Sequence, residues 1–394
     1  MKSFVSSVPF VVHNKKMKLF DVYPVFDIEP VKGDGSYIYD KLGTKYLDFY
    51  GGHAVISIGH SHPHYVKKVG AQLANLGFYS NSVENSLQVE LAEKLGKLSG
   101  LTDYQLFLCN SGAEANENAL KMASFATGKT KIIAFENAFH GRTSSAVNIT
   151  QNSKIQAPIN QTFEREWLPL NKIEPVEKAL AKGDVAAVII EGIQGIGGIY
   201  VPEKSFLEAV AKCCQTHNVP LILDEIQSGT GRSGKFFAFQ YAAIQPDIIS
   251  IAKGFGNGFP IGGILLAPKY KAKYGLLGTT FGGNHLGCAA ALATLEVIEN
   301  ENLIQNSNEI GDYLQSKLKQ IESVKSVRGK GLMIGIDLDF PVAALRKRLV
   351  KEYQLFTGSA SNPNTIRLLP PLNVTKAEAD LFLEVFEKAL VEYK

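Results

Sequence analysis

Cysteine is scarce in this 394-residue chain: there are four, Cys109, Cys213, Cys214 and Cys288, and no C-x-x-C spacing joins them. That scatter excludes a disulfide framework and reads as a reducing compartment, so a cytoplasmic location is expected. No apolar run reaches the roughly 18 residues of a membrane span, and neither an internal repeat nor a low-complexity tract is present. Charge of one sign is lacking too. With 41 basic and 38 acidic residues the net charge is +3, and no long basic run or aromatic-interleaved basic stripe occurs, which argues against nucleic acid as a partner. The opening residues Met1 to Val12 have a short apolar stretch broken by Pro9 and no small-residue cleavage site follows. They read as a loosely ordered leader, with Met17 as an alternative start.

What is present is enough apolar material, 45% of residues, to bury a large core. At about 100 to 200 residues per domain this length predicts two domains. From about residue 100 to 270 short apolar runs alternate with helical patterns, the sign of an α/β fold with a mostly parallel sheet covered by helices. The predicted strands are Gln105 to Cys109, Lys131 to Phe135, Val185 to Ile190, Val219 to Leu223, Ile248 to Ile251 and Ile261 to Ala267. Ligands of such sheets bind beyond the carboxyl ends of the strands. Asn110, Glu191, Asp224 and Lys253 all fall just past such ends. After residue 286 come a long helical pattern, a strand from Gly331 to Leu338, a helix from about Val342, a strand from Thr365 to Leu369 and a last helix capped by Thr375. The expected division is residues 1–50 as an amino-terminal segment and part of a small domain, 51–285 as the large domain and 286–394 as the remainder of the small one.

The chemistry concentrates at the strand ends. Lys253 closes an apolar strand and precedes the glycine-rich turn Gly254 to Gly263, as a lysine offered for imine formation would. Asp224 ends another strand, and a pyridine-ring cofactor needs such an acid beside its ring nitrogen. Cys109-Asn-Ser111-Gly112-Ala113 opens a helix whose free amides suit a phosphate. Phe139 offers a stacking face and Arg142 a fork for a carboxylate. Arg367 lies within an apolar strand, either in a structural ion pair or as a carboxylate receptor.

Three other patterns carry less. Gly229-Thr-Gly231-Arg-Ser-Gly234 matches a dinucleotide fingerprint but does not abut its strand. His60-Ser-His62-Pro-His64 has no cysteine or acid cluster to complete a metal shell, so no metal is expected. Gly128-Lys-Thr130 lacks the glycine loop of a nucleotide site.

Taken in order, Asn110-Ser-Gly-Ala-Glu-Ala-Asn116, Phe139-His-Gly-Arg-Thr143, Leu223-Asp-Glu-Ile-Gln227, Ala252-Lys253-Gly and Gly278-Thr-Thr-Phe-Gly-Gly-Asn284 resemble the class III, or ornithine-type, aminotransferases. With Gly59-His-Ser-His-Pro63 and Arg367 the likeness runs from about Val22 onward. Within the family the chain is most similar to acetylornithine and succinylornithine aminotransferases. The resemblance implies the fold-type I architecture: a large domain around a mostly parallel seven-stranded sheet, with a smaller α+β domain built from both chain ends. It also implies pyridoxal 5'-phosphate and a homodimer whose active site is shared across the interface.

Carried over by residue, Lys253 and Asp224 are the catalytic pair, Lys253 holding the cofactor covalently and Asp224 pairing with its ring nitrogen. Ser111, Gly112 and Ala113 surround the phosphate, Phe139 stacks on the ring, and His140, Gln227 and Thr279 complete the cofactor site, while Thr280 reaches the neighbouring subunit's phosphate. Arg142 binds a distal carboxylate, Glu191 masks Arg367 until the keto acid arrives, and Tyr23 and His53 flank the substrate. Three positions depart from the pattern: Gly192 replaces a proline, His285 replaces another, and His53 stands where an aliphatic residue is usual. The activity implied is transfer of the terminal amino group of an α-N-acylornithine to 2-oxoglutarate, in arginine biosynthesis. Ornithine or 4-aminobutyrate as donor, and a glutamate-semialdehyde-type aminomutase, are the alternatives.

Overall fold

In the computed structural model, which describes residues 19–393, seven strands form one sheet in the order Gln105–Cys109, Gly262–Leu266, Ile248–Ile251, Leu221–Asp224, Val185–Glu191, Lys131–Phe135, Arg165–Leu168. Six run the same way; Gly262–Leu266 is antiparallel to both of its neighbours. Central strands such as Val185–Glu191 and Leu221–Asp224 are buried at every residue. That is why they read as unbroken apolar runs instead of alternating. Arg165–Leu168 was not predicted: as an edge strand it keeps Arg165 and Glu166 partly exposed, and its charges mask the pattern. The leader at Met1–Val12 and the start at Met17 lie outside the described residues.

Helix Gly112–Thr127 crosses one face of this sheet. Ser111 caps it by accepting the amide of Glu114 at 3.2 Å, and Gly128 ends it in the left-handed region at φ 68°. Glycine is favoured there because it has no Cβ to clash. The long helical pattern after residue 286 is in fact two helices, His285–Asn300 and Leu303–Leu318, separated by Asn302 at φ 53°. Among the described residues no helix is long and apolar enough to cross a membrane.

The two ends of the chain meet. Leu355–Phe356 pairs in parallel with Leu47 and Asp48, closing a sheet whose other strands are Pro30–Asp34 and Tyr37–Asp40. A second four-stranded sheet holds Ser326–Lys330, Met333–Asp337, Thr365–Leu368 and Gly358–Ser359. Phe49 stacks on Phe382 of the final helix Lys376–Val391, ring centroids 4.5 Å apart, and both are fully buried. Each such buried ring contributes about 1.5–3 kcal/mol. Thr375 and Glu378 cap that helix reciprocally, the expected start signal. The two sheets place the strand of Arg367 against the loops that end Val185–Glu191 and Leu221–Asp224.

Candidate active site

A cavity of about 400 Å³ opens at the carboxyl ends of the parallel strands. Its walls carry Ser111, Gly112, Ala113, Phe139, His140 and Arg142 from two loops, and Glu191, Asp224, Gln227 and Lys253 from three others. With Asn110, which also lines it, eleven of the residues singled out from sequence thus converge. Five others do not line it. Tyr23 is 72% exposed and His53 is also exposed. Thr279 accepts from Asn110 Nδ2 at 3.2 Å outside the cavity, Thr280 is exposed, and Arg367 is buried behind it.

Asp224 is held by a preformed net. Its Oδ2 accepts from Asn116 Nδ2 and pairs with His140 Nδ1, both at 2.8 Å, while Oδ1 accepts the amide of Ile226 at 3.1 Å. Asn116 also donates to the carbonyl of His140 and accepts from Ser250 Oγ. It sits four residues beyond Gly112 on the same helix face, and sequence reasoning quoted it without giving it a role. Lys253 has the left-handed φ of 46° and stands half-buried in the cavity wall. Desolvation holds its pKa below the usual lysine value, with Arg367 adding to the fall and Asp224 and Glu191 opposing it.

Glu191 and Arg367 do not pair. Glu191 accepts the amide of Phe139 at 3.0 Å on Oε1 and that of Gly195 at 2.8 Å on Oε2. Burial, with Asp224 nearby, pushes it up to about 7 against His140 and those amides. Arg367, 1% exposed, donates from Nη1 to Gln227 Oε1 at 3.1 Å and from Nε to the carbonyl of Ser359. Gln227, expected in the cofactor site, faces the guanidinium here. The mask expected of Glu191 is therefore made by a neutral amide in this structure.

A flat ring bearing a phosphate would need backbone donors, an apolar slot and an acid. The residues fit these demands. The amides of Gly112 and Ala113 are among the first donors of the helix, which have no partner within it. A Cβ on Gly112 would lie 2.8 Å from Ile226 Cγ2, so glycine keeps that approach open. Ile226 and Phe139 supply apolar walls of the same cavity, and Asp224 lies at its floor. Ile226 was not foreseen, since an apolar residue after a strand carries no mark of function. The imidazoles of His60, His62 and His64 each face a different carboxylate, Asp48, Glu301 and Glu296.

Residues 21–390 match the family described as aminotransferase class-III. The acetylornithine aminotransferase of Bacillus subtilis (strain 168) is 41% identical over 383 residues, covering 95% of this chain and 98% of that protein. The acetylornithine aminotransferase of Archaeoglobus fulgidus is 40% identical over 377 residues, with 95% and 98% covered. Among solved structures, the ornithine aminotransferase from Toxoplasma gondii ME49 superposes with a TM-score of 0.88 at 27% identity, covering 95% of this chain and 93% of that one. The acetylornithine aminotransferase from Elizabethkingia anophelis gives 0.83 at 32% identity, with 95% and 96% covered. By family match over residues 21–390 and by about 40% identity along nearly its whole length, the chain belongs to the class-III aminotransferases.

Proposed function

We propose that this enzyme binds pyridoxal 5'-phosphate and transfers the terminal amino group of an α-N-acylornithine to 2-oxoglutarate, releasing the acylglutamate semialdehyde and glutamate, as a step of arginine biosynthesis. The observation that carries the reading is Lys253 and Asp224 in one cavity beside a helix start with free amides. Relatives named acetylornithine aminotransferases, about 40% identical along nearly the whole chain, support the choice of donor.

Ser111, Gly112 and Ala113 would hold the phosphate, Phe139 and Ile226 the two faces of the ring, and Asp224, fixed by His140 and Asn116, its nitrogen. When bound, the cofactor supplies an electrophilic carbonyl and an electron sink. Lys253 attaches it and later carries a proton at Nζ from the donor's terminal carbon; a depressed amine pKa suits both tasks. Arg142, exposed at the cavity's edge, would take the donor's α-carboxylate and then the distal carboxylate of the keto acid. Arg367 would take the keto acid's α-carboxylate once Gln227 releases it.

The active site would be completed in a homodimer. Helix Pro63–Asn75 buries no residue; its Leu73, with Leu76, Phe78, Tyr79, Val83 and Phe281 on neighbouring segments, is exposed, an apolar belt of the kind an obligate interface covers. Thr279 and Thr280 lie on that belt. Specificity constants for acetylornithine, succinylornithine, ornithine and 4-aminobutyrate with 2-oxoglutarate test the function. Acylated ornithines are expected to lead by at least tenfold; free ornithine or 4-aminobutyrate in front would overturn it, and turnover without any keto acid would indicate an aminomutase.

A further inference from the structure

Next to the cavity Arg346, Tyr50 and His53, none of which the transfer reaction as derived above uses, are connected to Arg367 and Gln227 through a chain of side-chain and backbone contacts. Arg346 donates from Nε and Nη2 to the carbonyl of Thr357, the latter at 2.6 Å. The next residue, Gly358, pairs with Arg367, and a Cβ there would lie 3.0 Å from the ring of Tyr50 and 3.2 Å from Arg367 Cβ. Tyr50 Oη lies against the imidazole of His53, 2.7 Å from Nε2. The carbonyl of His53 accepts from Gln227 Nε2 at 3.1 Å, and Gln227 returns to Arg367.

This group carries two guanidinium charges, and no carboxylate among the described residues is in contact with either; their hydrogen bonds go to carbonyls and to an amide. Desolvation of its imidazole against Tyr50, with the charges of Arg367, Lys253 and Arg346, pushes His53 down to about 4, while part of the residue stays exposed. Arg346 is half-buried and His53 exposed, so the cluster is reached from solvent. Guanidinium groups held together in partly desolvated space are costly unless an anion joins them, and a planar fork is the group that recognises carboxylates.

We propose that Arg346, Tyr50 and His53 form, beside Arg367, a second carboxylate subsite, which selects an amine donor whose acyl arm carries its own carboxylate. The inference rests on the acylornithine reading above and names the donor class within it. A succinyl arm places such a carboxylate at the end of a flexible chain; an acetyl arm has none.

The test compares N-succinylornithine with N-acetylornithine in single-turnover donor half-reactions of the holoenzyme, with the 2-oxoglutarate half-reaction measured separately. Wild type should favour the succinyl donor at least tenfold in kcat/KM. Arg346→Gln should erase that preference by raising the succinyl KM tenfold or more, with acetyl turnover and the keto-acid half-reaction within about twofold, and Arg346→Lys should restore part of it. A wild-type preference for the acetyl donor overturns the proposal even if the variant fails to fold. So does an equal loss for both donors in Arg346→Gln, the mark of a merely structural role, or a loss confined to the keto-acid half-reaction, which would assign the subsite to that substrate. If neither acyl donor reacts while another amine does, the acylornithine reading itself has failed, and the subsite with it.

Discussion

Arg367 and Gln227 are joined by a hydrogen bond of 3.1 Å, and the same glutamine amide holds the carbonyl of His53 at 3.1 Å. A neutral side chain therefore ties the buried guanidinium to the loop at the cavity mouth. A hydrogen bond to a charged group is worth about 1.5–3 kcal/mol, which a carboxylate ligand exceeds readily. The tie is weak enough to be displaced by substrate.

Gln227→Glu converts that tie into an ion pair. The KM for 2-oxoglutarate should rise by at least tenfold, corresponding to about 1.4 kcal/mol or more, while the KM for the amine donor changes little. Half-reaction kinetics measured separately for the two substrates check this; equal losses in both would show that Arg367 is not the keto-acid receptor.

Gly195→Ala should act on the same tie from the other side. A Cβ at residue 195 would lie 1.9 Å from Gln227 Oε1, so the glutamine must move and Arg367 loses its partner. Overpacking of this kind costs about 1–3 kcal/mol, to be read as a lower midpoint in urea unfolding. Unchanged stability would mean that Gln227 swings away freely.

Asn116→Ala removes a donor from Asp224 and leaves His140 as its remaining side-chain partner. Turnover should fall by about 10- to 100-fold, within the range seen when a group that positions a charged residue is lost, and the cofactor content after purification should stay near wild type because the Gly112 and Ala113 amides are untouched. Loss of cofactor in proportion to activity would contradict this division of labour.

Stability should also depend on pH through Glu191 and Glu225, both buried and both pushed from 4.5 to about 7. A raised folded pKa means that the native state binds the proton more tightly than the unfolded chain. The stabilisation is complete below about pH 4.5 and is lost as pH rises through about 7. Glu191→Gln should flatten part of this slope in thermal unfolding between those limits; an unaltered slope would assign all of it elsewhere.

Much of this site was legible before any coordinates. Lys253, Asp224 and Gly112 each stand at the end of an apolar strand, where the geometry of parallel sheets fixes the place of a ligand. Arg346 was not legible, because its nearness to Arg367 arises only when helix Ala343–Tyr353 packs over the strand pairing of Leu355 with Leu47. The contact that Arg367 makes in this structure was not legible for a related reason. An acid was the natural choice, yet Glu191 spends both oxygens on the amides of Phe139 and Gly195, a local folding of the glycine-rich loop that spacing does not reveal. The break at Asn302 was missed because both flanking helices keep the same apolar period.

Gly51, Gly52, His53 and Ala54 all have left-handed φ, between 54° and 69°, and form a single turn of mirror-image helix. L-residues disfavour this by roughly 1–2 kcal/mol each. The turn is anchored by Asp48, which accepts the amides of Tyr50 and Gly51, and by Gln227, which grips His53. One anchor comes from the opening strands of the chain and the other from the middle of the large sheet. The mouth of the cavity is thus a clasp: it takes shape only after both halves of the polypeptide have met, and a nascent chain that has not yet emerged past its central strands has no pocket to offer a metabolite.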